Sequence, residues 1–458
     1  MFSLEELGAN LGFRILQWRY GNSSSITLSK RIAGNFKKSL DEINDKQLKD
    51  LIYIVEYAYH NSAFYKKHYD KVGFRPGDIK DFSDFNKLPE ISRDDIRESI
   101  NNMLCSSIPA NKRFKASSGG TTGTPLEFYR DWECINFRRG IDLAVFQYYG
   151  WHIGQWQGWL WGATKDLIYR NTLKSRLIQK WGDRTYFLDL SMLDIETSQK
   201  FAWYTNRYSP SIISAYPSIA AHLAERVEKG EIDKFHVPVI TVTAEPLYEF
   251  QRQTIESNIA DNVYQRYGSR EIGTAAFECP EKNGMHIICD SVYIESLASN
   301  TNNSSNTNSL IITDLVNKAM PLIRYRIGDL ADIDYKPCSC GLNLPKVTNV
   351  SGREVDLVWR KNGSAVAGIK FVTIIRLSEI KAKVQIIQED YDRFSIKLEY
   401  DPMMYRDELE YMKKEIIKLV GNDVRVDFIG PVKLIREKSG KYRYVISRVN
   451  KPGGGSNS

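Results

Sequence analysis

The 458-residue sequence predicts an α/β protein with a large N-terminal domain of mixed sheets and helices (1–352) and a small α+β C-terminal domain (353–458). Three observations predict this. The first ~100 residues carry helical periodicity and helix-start signals. From residue 115, short apolar β-like runs alternate with helical ones, as in a largely parallel sheet with polar loops at its strand ends. After "SGREVDLV" the texture changes again, to a hairpin, an amphipathic helix and a further strand.

Each element follows from its local pattern. In "DKQLKDLIYIVEYAYHNS", Leu48, Leu51, Ile52, Val55 and Tyr59 share one helical face. "KLPEISRDDIRESI" supplies a turn at Pro89, an N-cap at Ser92 and acids in the first helical turn. "SPSIISAYPSIAAHLAERVEKG" reads as strand, proline turn and helix, stopped by Gly230. "VPVITVTAE" and "NVYQRYGS" read as buried strands, and "ASNTNNSSNTNS" (298–309) as a solvated insert between two strands. In the last hundred residues, "KVQIIQEDYDRFSIKLEYD" alternates like a hairpin. "YRDELEYMKKEIIKLVG" turns Leu409, Met412, Ile416 and Leu419 inward and ends at Gly421, and "DVRVDFIG" is a strand.

Composition narrows the function classes. With 42% hydrophobic and 26% charged residues the chain is an ordinary folded protein. The opening "MFSLEELGANLGF" has acids where a secretory signal would carry bases, and no apolar run reaches the ~18 residues of a membrane helix, so a cytoplasmic protein without a membrane span is expected. The formal charge is +7, and between Pro431 and Lys451 seven bases face the single acid Glu437. One basic segment suits a local anion such as phosphate. A nucleic-acid binder, the rival this segment suggests, more often carries a basic stripe with aromatic partners, so no nucleic-acid partner is expected.

The segment "KASSGGTTGTPLEFYRD" (115–131) concentrates hydroxyls and unhindered amides in Ser117, Ser118, Gly119, Gly120, Thr121, Thr122, Gly123 and Thr124. Alone it reads as a linker or as an anion-binding nest; the strand-like continuation favours the nest, and the absence of a Gly-Lys-Ser/Thr ending excludes a Walker loop. Three later stretches join it: "TAEPL" (243–247), "YGSREIG" (267–273) and "MPLIRYRIGDLADI" (320–333), the last expected to set Arg324, Arg326 and Asp329 around a tight Ile-Gly turn. "SGKYR" (439–443) then carries Lys441 on a Gly-flexed loop.

Taken in order, these motifs resemble the adenylate-forming superfamily, in its phenylacetate–coenzyme A ligase-like branch with relatives in capsular polysaccharide synthesis. The resemblance runs from "LPEISRDDIRE" to "SGKYR". It implies that the 117–124 loop wraps ATP phosphates and that Glu271 is both a catalytic residue and the magnesium-binding acid, where a lone acid here would read as a surface carboxylate at a helix start. It further implies that Tyr267 stacks on adenine within a nucleotide-binding strand that includes Gly268 and Ser269, and that Glu245 of "TAEPL" belongs to the same site. Asp329 holds the ribose with Arg353 alongside, and Lys441 is the catalytic lysine. ATP and magnesium are the implied cofactors, and the small domain is implied to be mobile, rotating about a hinge at Arg353–Asp356. Two departures stand out. Val355 occupies the usual charged hinge position, and the loop has a second Gly and ends Thr-Pro-Leu instead of Lys-Pro, so that Arg130 or a backbone amide is left to replace the missing cation.

The implied activity is carboxylate activation to an acyl-adenylate, followed by transfer to a thiol such as coenzyme A or to an amine. The acid is either aryl or small, or else a uronic-acid-type sugar precursor; the double-Gly loop and an aromatic belt favour the last. That belt, "FQYYGWHIGQWQGWLWGATK", holds Trp151, Trp156, Trp159 and Trp161 and reads as core packing or as an acid-pocket wall. A degenerate nucleotide-binding sensor or scaffold is the non-catalytic alternative. Cys279, His286, Cys338 and Cys340 make a four-ligand tetrahedral set if a hairpin joins the two pairs; free thiols are the alternative and Cys289 is a rival ligand. Similar Cys/His pairs in relatives of this branch imply structural zinc.

Overall fold

The computed structural model describes residues 4–19, 21, 23–118, 126–161, 182, 184–189, 194–297, 308–353, 357–362, 365–434 and 443–449. Six helices open the chain, as the periodicity predicts: α1 (Leu4–Arg19), α2 (Ser24–Asn35), α3 (Leu40–Asn61), α4 (Ala63–Asp70), α5 (Phe82–Phe85) and α6 (Arg93–Met103). Helix α6 starts at Ser92, whose hydroxyl accepts from the Asp95 amide while Asp95 accepts from the Ser92 amide. This reciprocal cap satisfies two amides that the helix itself leaves open.

A short hairpin follows, β1 (Phe114–Ser117) and β2 (Glu127–Arg130), and then α7 (Trp132–Tyr148). The main sheet is built from β3 (Gln157–Trp161), β4 (Thr185–Asp189), β5 (Ile212–Ala215), β6 (Val237–Val242), β7 (Ala260–Ser269), β8 (Gly273–Glu278), β9 (Met285–Ile287), β10 (Val292–Leu297), β11 (Ser309–Asp314), β12 (Tyr325–Asp334) and β13 (Lys346–Arg353). Helices α8 (Ile195–Tyr208), α9 (Pro217–Glu228) and α10 (Glu249–Asn258) lie between its strands in sequence. Spatially the strands run β10-β11-β12-β13-β9-β8-β7-β6-β5-β3-β4.

The expectation of a largely parallel sheet needs correction. Strands β4, β3, β5, β6 and β7 are parallel, whereas β7 onward through β10 pairs antiparallel. The physical reason is the connection. Helical crossovers join parallel strands, and those helices end with α10; from β7 to β13 the described links lack a crossover helix, and each strand runs opposite to its neighbours in that part of the sheet. The expected turn at Ile327-Gly328 is also absent. Gly328 lies within β12, with φ +85°, and the strand continues through it to Asp334.

Two arginines tie the segment before α6 to this sheet. Arg324 sits at φ +49° before β12, and its guanidinium reaches Glu295 on β10 at 2.8 and 3.1 Å, together with the carbonyls of Asn86 and Leu88. Ile91 bridges Tyr325 alongside, and Arg326 pairs with Glu90 at 2.6 Å. Arg324 and Arg326 therefore hold the "LPEISRDD" stretch in place, and of the three residues expected around the turn only Asp329 points to the site described below.

The last hundred residues have their own core. β14 (Leu357–Trp359) and β15 (Ala365–Ala367) form a ribbon; then come α11 (Gly368–Leu377), β16 (Val384–Asp390), β17 (Arg393–Leu398), α12 (Arg406–Val420), β18 (Arg425–Ile429) and β19 (Val445–Ser447). The four strands order as β18-β17-β16-β19, with the expected hairpin at its centre. Leu409, Met412 and Ile416 are buried against them, while Leu419 is half-buried. Contact with the rest of the chain runs through Tyr444, edge-on to Tyr248 at 5.7 Å, and through Lys383, 3.1 Å from His222. Among the described residues no helix is long and apolar enough to cross a membrane.

Replacing Arg324 by Met leaves Glu295 buried and unpaired, a class of change that costs about 3–5 kcal/mol. A clear drop in the urea midpoint of Arg324→Met is the expected result; an unchanged midpoint would mean that the pair is dispensable.

Candidate functional site

The predicted motif residues converge beside the carboxyl ends of the parallel strands, where loops of an open α/β sheet leave a crevice. Strand β7 ends in "YGS". The Tyr267 hydroxyl donates to Asp329 Oδ2 at 2.7 Å, joining two residues 62 positions apart. Asp329 lies opposite Arg353 in the β12–β13 register, so both members of the expected ribose pair stand at one level of the sheet. Gly268 is dictated by space: a Cβ there would overlap the Gly273 carbonyl, because β7 and β8 close over it with a register shift.

The turn joining β7 to β8 carries Glu271. It is not a surface acid at a helix start; it is 5% exposed, and its amide donates to the Ser269 hydroxyl at 3.2 Å. Its carbonyl is held by the Arg138 guanidinium of α7 at 2.5 Å, and the same nitrogen reaches Asp314 Oδ2 at 2.6 Å. Burial raises the Asp314 pKa while the Arg138 charge opposes that rise. No hydrogen bond to the Glu271 carboxylate itself occurs among the described residues. A buried carboxylate without a donor suits a hard cation bound by oxygen ligands, so the chemistry of this position fits magnesium.

The Ser/Gly/Thr segment is not a linker between domains. Ser118 and Leu126 bond each other twice, amide to carbonyl at 2.8 Å and amide to Ser118 hydroxyl at 2.8 Å, directly beyond the β1–β2 hairpin. The segment thus begins and ends at one point of the fold. Gly119, Gly120, Thr121, Thr122, Gly123 and Thr124 lie outside the described residues. Two guanidiniums reach its base, and a third stands further along the hairpin, where Arg130 pairs with Phe114. Arg93 donates to the Ser118 hydroxyl at 2.8 Å, Arg270 approaches the Ser117 carbonyl at 3.4 Å, and Arg130 extends from β2. The Nε atoms of Arg93 and Arg130 are buried without partners. Burial, followed by the Arg138 charge, holds Arg130 below the usual guanidinium range. Sequence reasoning named Arg130 but missed Arg93, whose place in an ordinary helix-start motif gave no sign of its distant partner.

Glu245 accepts the Ser218 amide of the first turn of α9 at 3.1 Å, after Ala244 at φ +74°. It therefore satisfies one of the open amides at that helix start. Lys441 lies outside the described residues, as do 354–356 of the expected hinge, Val355 among them. The described neighbours of Lys441 are nevertheless informative: Arg443 accepts from Gln385 at 2.7 Å, and Tyr444 packs on Tyr248, next to "TAEPL".

A second cluster stands apart from this site. Strands β8 and β9 are adjacent, and β9 pairs with β13, which brings the loop after β12 beside the loop after β8. Cys279, His286, Cys338 and Cys340 consequently place their ligand atoms within 4.8 Å of one another. The Cys279–Cys338 sulfurs are 3.8 Å apart, close to the edge of a tetrahedron with ~2.3 Å zinc–sulfur bonds. His286 Nδ1 is 3.0 Å from the Leu344 carbonyl, which leaves Nε2 facing Cys340 Sγ at 3.3 Å. Burial lowers the His286 pKa and so favours the neutral ring that ligates metals. Cys289 is buried and is not part of this group.

The aromatic belt divides. Trp151 is core, with its indole N–H on the Gln155 carbonyl, and Trp156 stacks on Tyr208 at 4.1 Å. Trp159 is half-buried beside Phe146.

Comparison with known proteins gives relatives of one kind. Residues 358–448 match the family described as the CapK C-terminal domain. Protein CapK of Staphylococcus aureus is 23% identical, the alignment covering 86% of each chain. A phenylacetate–coenzyme A ligase of Aromatoleum evansii is 26% identical over 90% of this chain and 96% of its own. In fold the chain resembles 2-hydroxyisobutyryl-CoA ligase in the postadenylation state, with TM-score 0.68, 17% identity and 90% of both chains covered.

Gly268→Ala tests the geometry of the Glu271 turn. The added methyl forces β7 and β8 apart, with a cost of about 1–3 kcal/mol for overpacking. A melting temperature equal to wild type is the outcome that contradicts it.

Proposed function

We propose that this chain, a relative of CapK and of the phenylacetate–coenzyme A ligases with the fold of the adenylate-forming enzymes, is an ATP-dependent ligase that activates a carboxylic acid. The single observation that carries the reading is the meeting of Tyr267, Asp329 and the buried Glu271 at one end of the sheet. The acid's carboxylate attacks the α-phosphorus of ATP, the bond to the bridging oxygen breaks, and pyrophosphate leaves with that electron pair. An acceptor then displaces AMP from the acyl-adenylate. Coenzyme A as the acceptor is supported by the relatives' names, and a role in capsular or surface polysaccharide synthesis by the likeness to CapK. An amine acceptor and an aryl acid of the phenylacetate type are the readings that compete.

Each residue has a physical task. Asp329, fixed by Tyr267, accepts from ribose hydroxyls, with Arg353 alongside. Glu271 holds magnesium, which when bound neutralises phosphate oxygens. Arg93 and Arg130 replace the lysine missing from the phosphate loop, since their open N–H groups are forks suited to phosphate. Lys441 neutralises charge that develops between carboxylate and α-phosphate in the transition state. The division of the chain at 352/353, with the small domain rotating between half-reactions, suits a single lysine that must leave after the first of them. Zinc in the Cys279–His286–Cys338–Cys340 group has a structural role, because all four positions are filled by protein.

Pyrophosphate–ATP exchange screened over a panel of acids tests the reading. Wild type exchanges with at least one acid, and Lys441→Ala loses about a hundredfold or more in rate. No exchange with any acid, together with unchanged ATP affinity in Glu271→Ala, sinks it. For the metal, plasma mass spectrometry is expected to find one zinc per chain, absent from Cys338→Ser and retained in Cys289→Ser. Zinc retained in Cys338→Ser would refute the ligand set.

A further inference from the structure

One buried charge beside the site has no task in the scheme above. Arg266 immediately precedes Tyr267 on β7, and strand alternation turns it to the opposite face, towards α7. It is 5% exposed, and its guanidinium lies over the Phe146 ring at 5.1 Å. A guanidinium has five N–H donors and accepts nothing. Here one terminal nitrogen reaches Asp142 Oδ1 at 3.4 Å, the other reaches the Ser214 hydroxyl at 3.2 Å, and Nε has no partner. Both contacts are long, and both acceptors are already engaged. Asp142 Oδ1 takes the Thr274 hydroxyl at 2.8 Å, and Ser214 is 2.9 Å from the Thr241 hydroxyl.

A buried cation this poorly satisfied is costly unless something completes its hydrogen bonds. The surroundings are not closed off. The Asp142 side chain is 40% exposed, and Thr274 and Trp159 are half-buried. Trp159 is paired in register with Ser214, and Phe146 lies 6.1 Å from Trp159. The aromatic belt thus sets Phe146 over a single donor-only cation one residue from Tyr267, with Trp159 beside Phe146. Apolar side chains around one fixed, under-satisfied cation are what a small-molecule subsite that demands an acceptor oxygen requires.

We propose that Arg266 is a specificity-determining residue that reads an acceptor oxygen of the acid substrate other than its reacting carboxylate. The acid is therefore a polar one, carrying a hydroxyl or a second carboxylate, and not a plain aryl acid. This rests on the ligase reading above and names its substrate class. Asp142, Thr274 and Ser214 hold the guanidinium in position. A substrate oxygen takes the open donors, so an acid without such an oxygen leaves them unpaired and is rejected.

The test measures exchange kinetics with phenylacetate, 2-hydroxyisobutyrate, malonate and glucuronate for wild type, Arg266→Leu and Arg266→Lys. Wild type is expected to favour one of the three polar acids, and the hydroxylated and dicarboxylic arms tell which oxygen is read. Arg266→Leu raises KM for the favoured acid by about tenfold or more. KM for ATP stays unchanged, and phenylacetate is unaffected or improved. Arg266→Lys recovers part of the loss; should Arg266→Leu not fold, the shift in acid ranking is read from Arg266→Lys alone. A wild type that prefers phenylacetate, an acid ranking unchanged in the variants, or an equal loss with every acid overturns the proposal while leaving the ligase intact. If wild type exchanges with no acid, calorimetry of the same acids decides separately. Binding of a polar acid that Arg266→Leu abolishes supports the subsite, and equal binding by both proteins overturns it.

Discussion

The Arg138–Asp314 pair is the constraint on which the site depends. Arg138 projects from the middle of α7, is almost wholly buried, and joins three elements through one guanidinium: its own helix, the β7–β8 turn and the end of β11. Asp314 answers with both oxygens, Oδ2 on Arg138 and Oδ1 on the amides of Val316 and Asn317. Neither charge is tolerable there without the other, so the elements can pack only in the arrangement that brings them together. Gly273 has its α-carbon against the Arg138 stem, where a side chain would collide. The position of Glu271 follows from these contacts and not from the turn's own conformational preference.

The Tyr267 side of the site depends on a second economy of space. Tyr267, Gly268 and Ser269 are consecutive, yet each answers to a different partner: a distant aspartate, a neighbouring carbonyl and the Glu271 amide. Strand β7 is also the place where the sheet changes from parallel to antiparallel pairing. On one side its neighbours are held by crossover helices, and on the other by direct reversals. The end of such a strand is flanked by loops of both kinds, so residues from far apart in sequence can reach it.

How legible this was depended on how local each signal is. The cap of α6, the stop at Gly230, the β16–β17 hairpin and the inward face of α12 are settled within a few residues, and were readable from the sequence. Half-antiparallel pairing was not, since apolar runs of five or six residues look alike whichever direction their neighbour takes. Gly328 looked like a turn because glycine before aspartate ordinarily marks one, and the strand pairing of β12 overrode that preference. Arg93 and Arg266 were invisible as partners for a similar reason. A basic residue in a helix start or a strand says nothing about a serine or a benzyl ring distant from it in the chain.

What the sequence by itself determined is chemical and ordinal: the ordered motifs, the residue types able to bind phosphate, ribose and metal, and the helices and strands whose patterns are short-range. Only the tertiary structure decided which of those residues meet. It joined Tyr267 to Asp329, buried Glu271 behind Arg138, returned Leu126 to Ser118, and gathered two cysteine loops with His286. Those meetings are set by strand order and by the pairing of buried charges, and both are properties of the whole packed sheet that no local stretch of sequence contains.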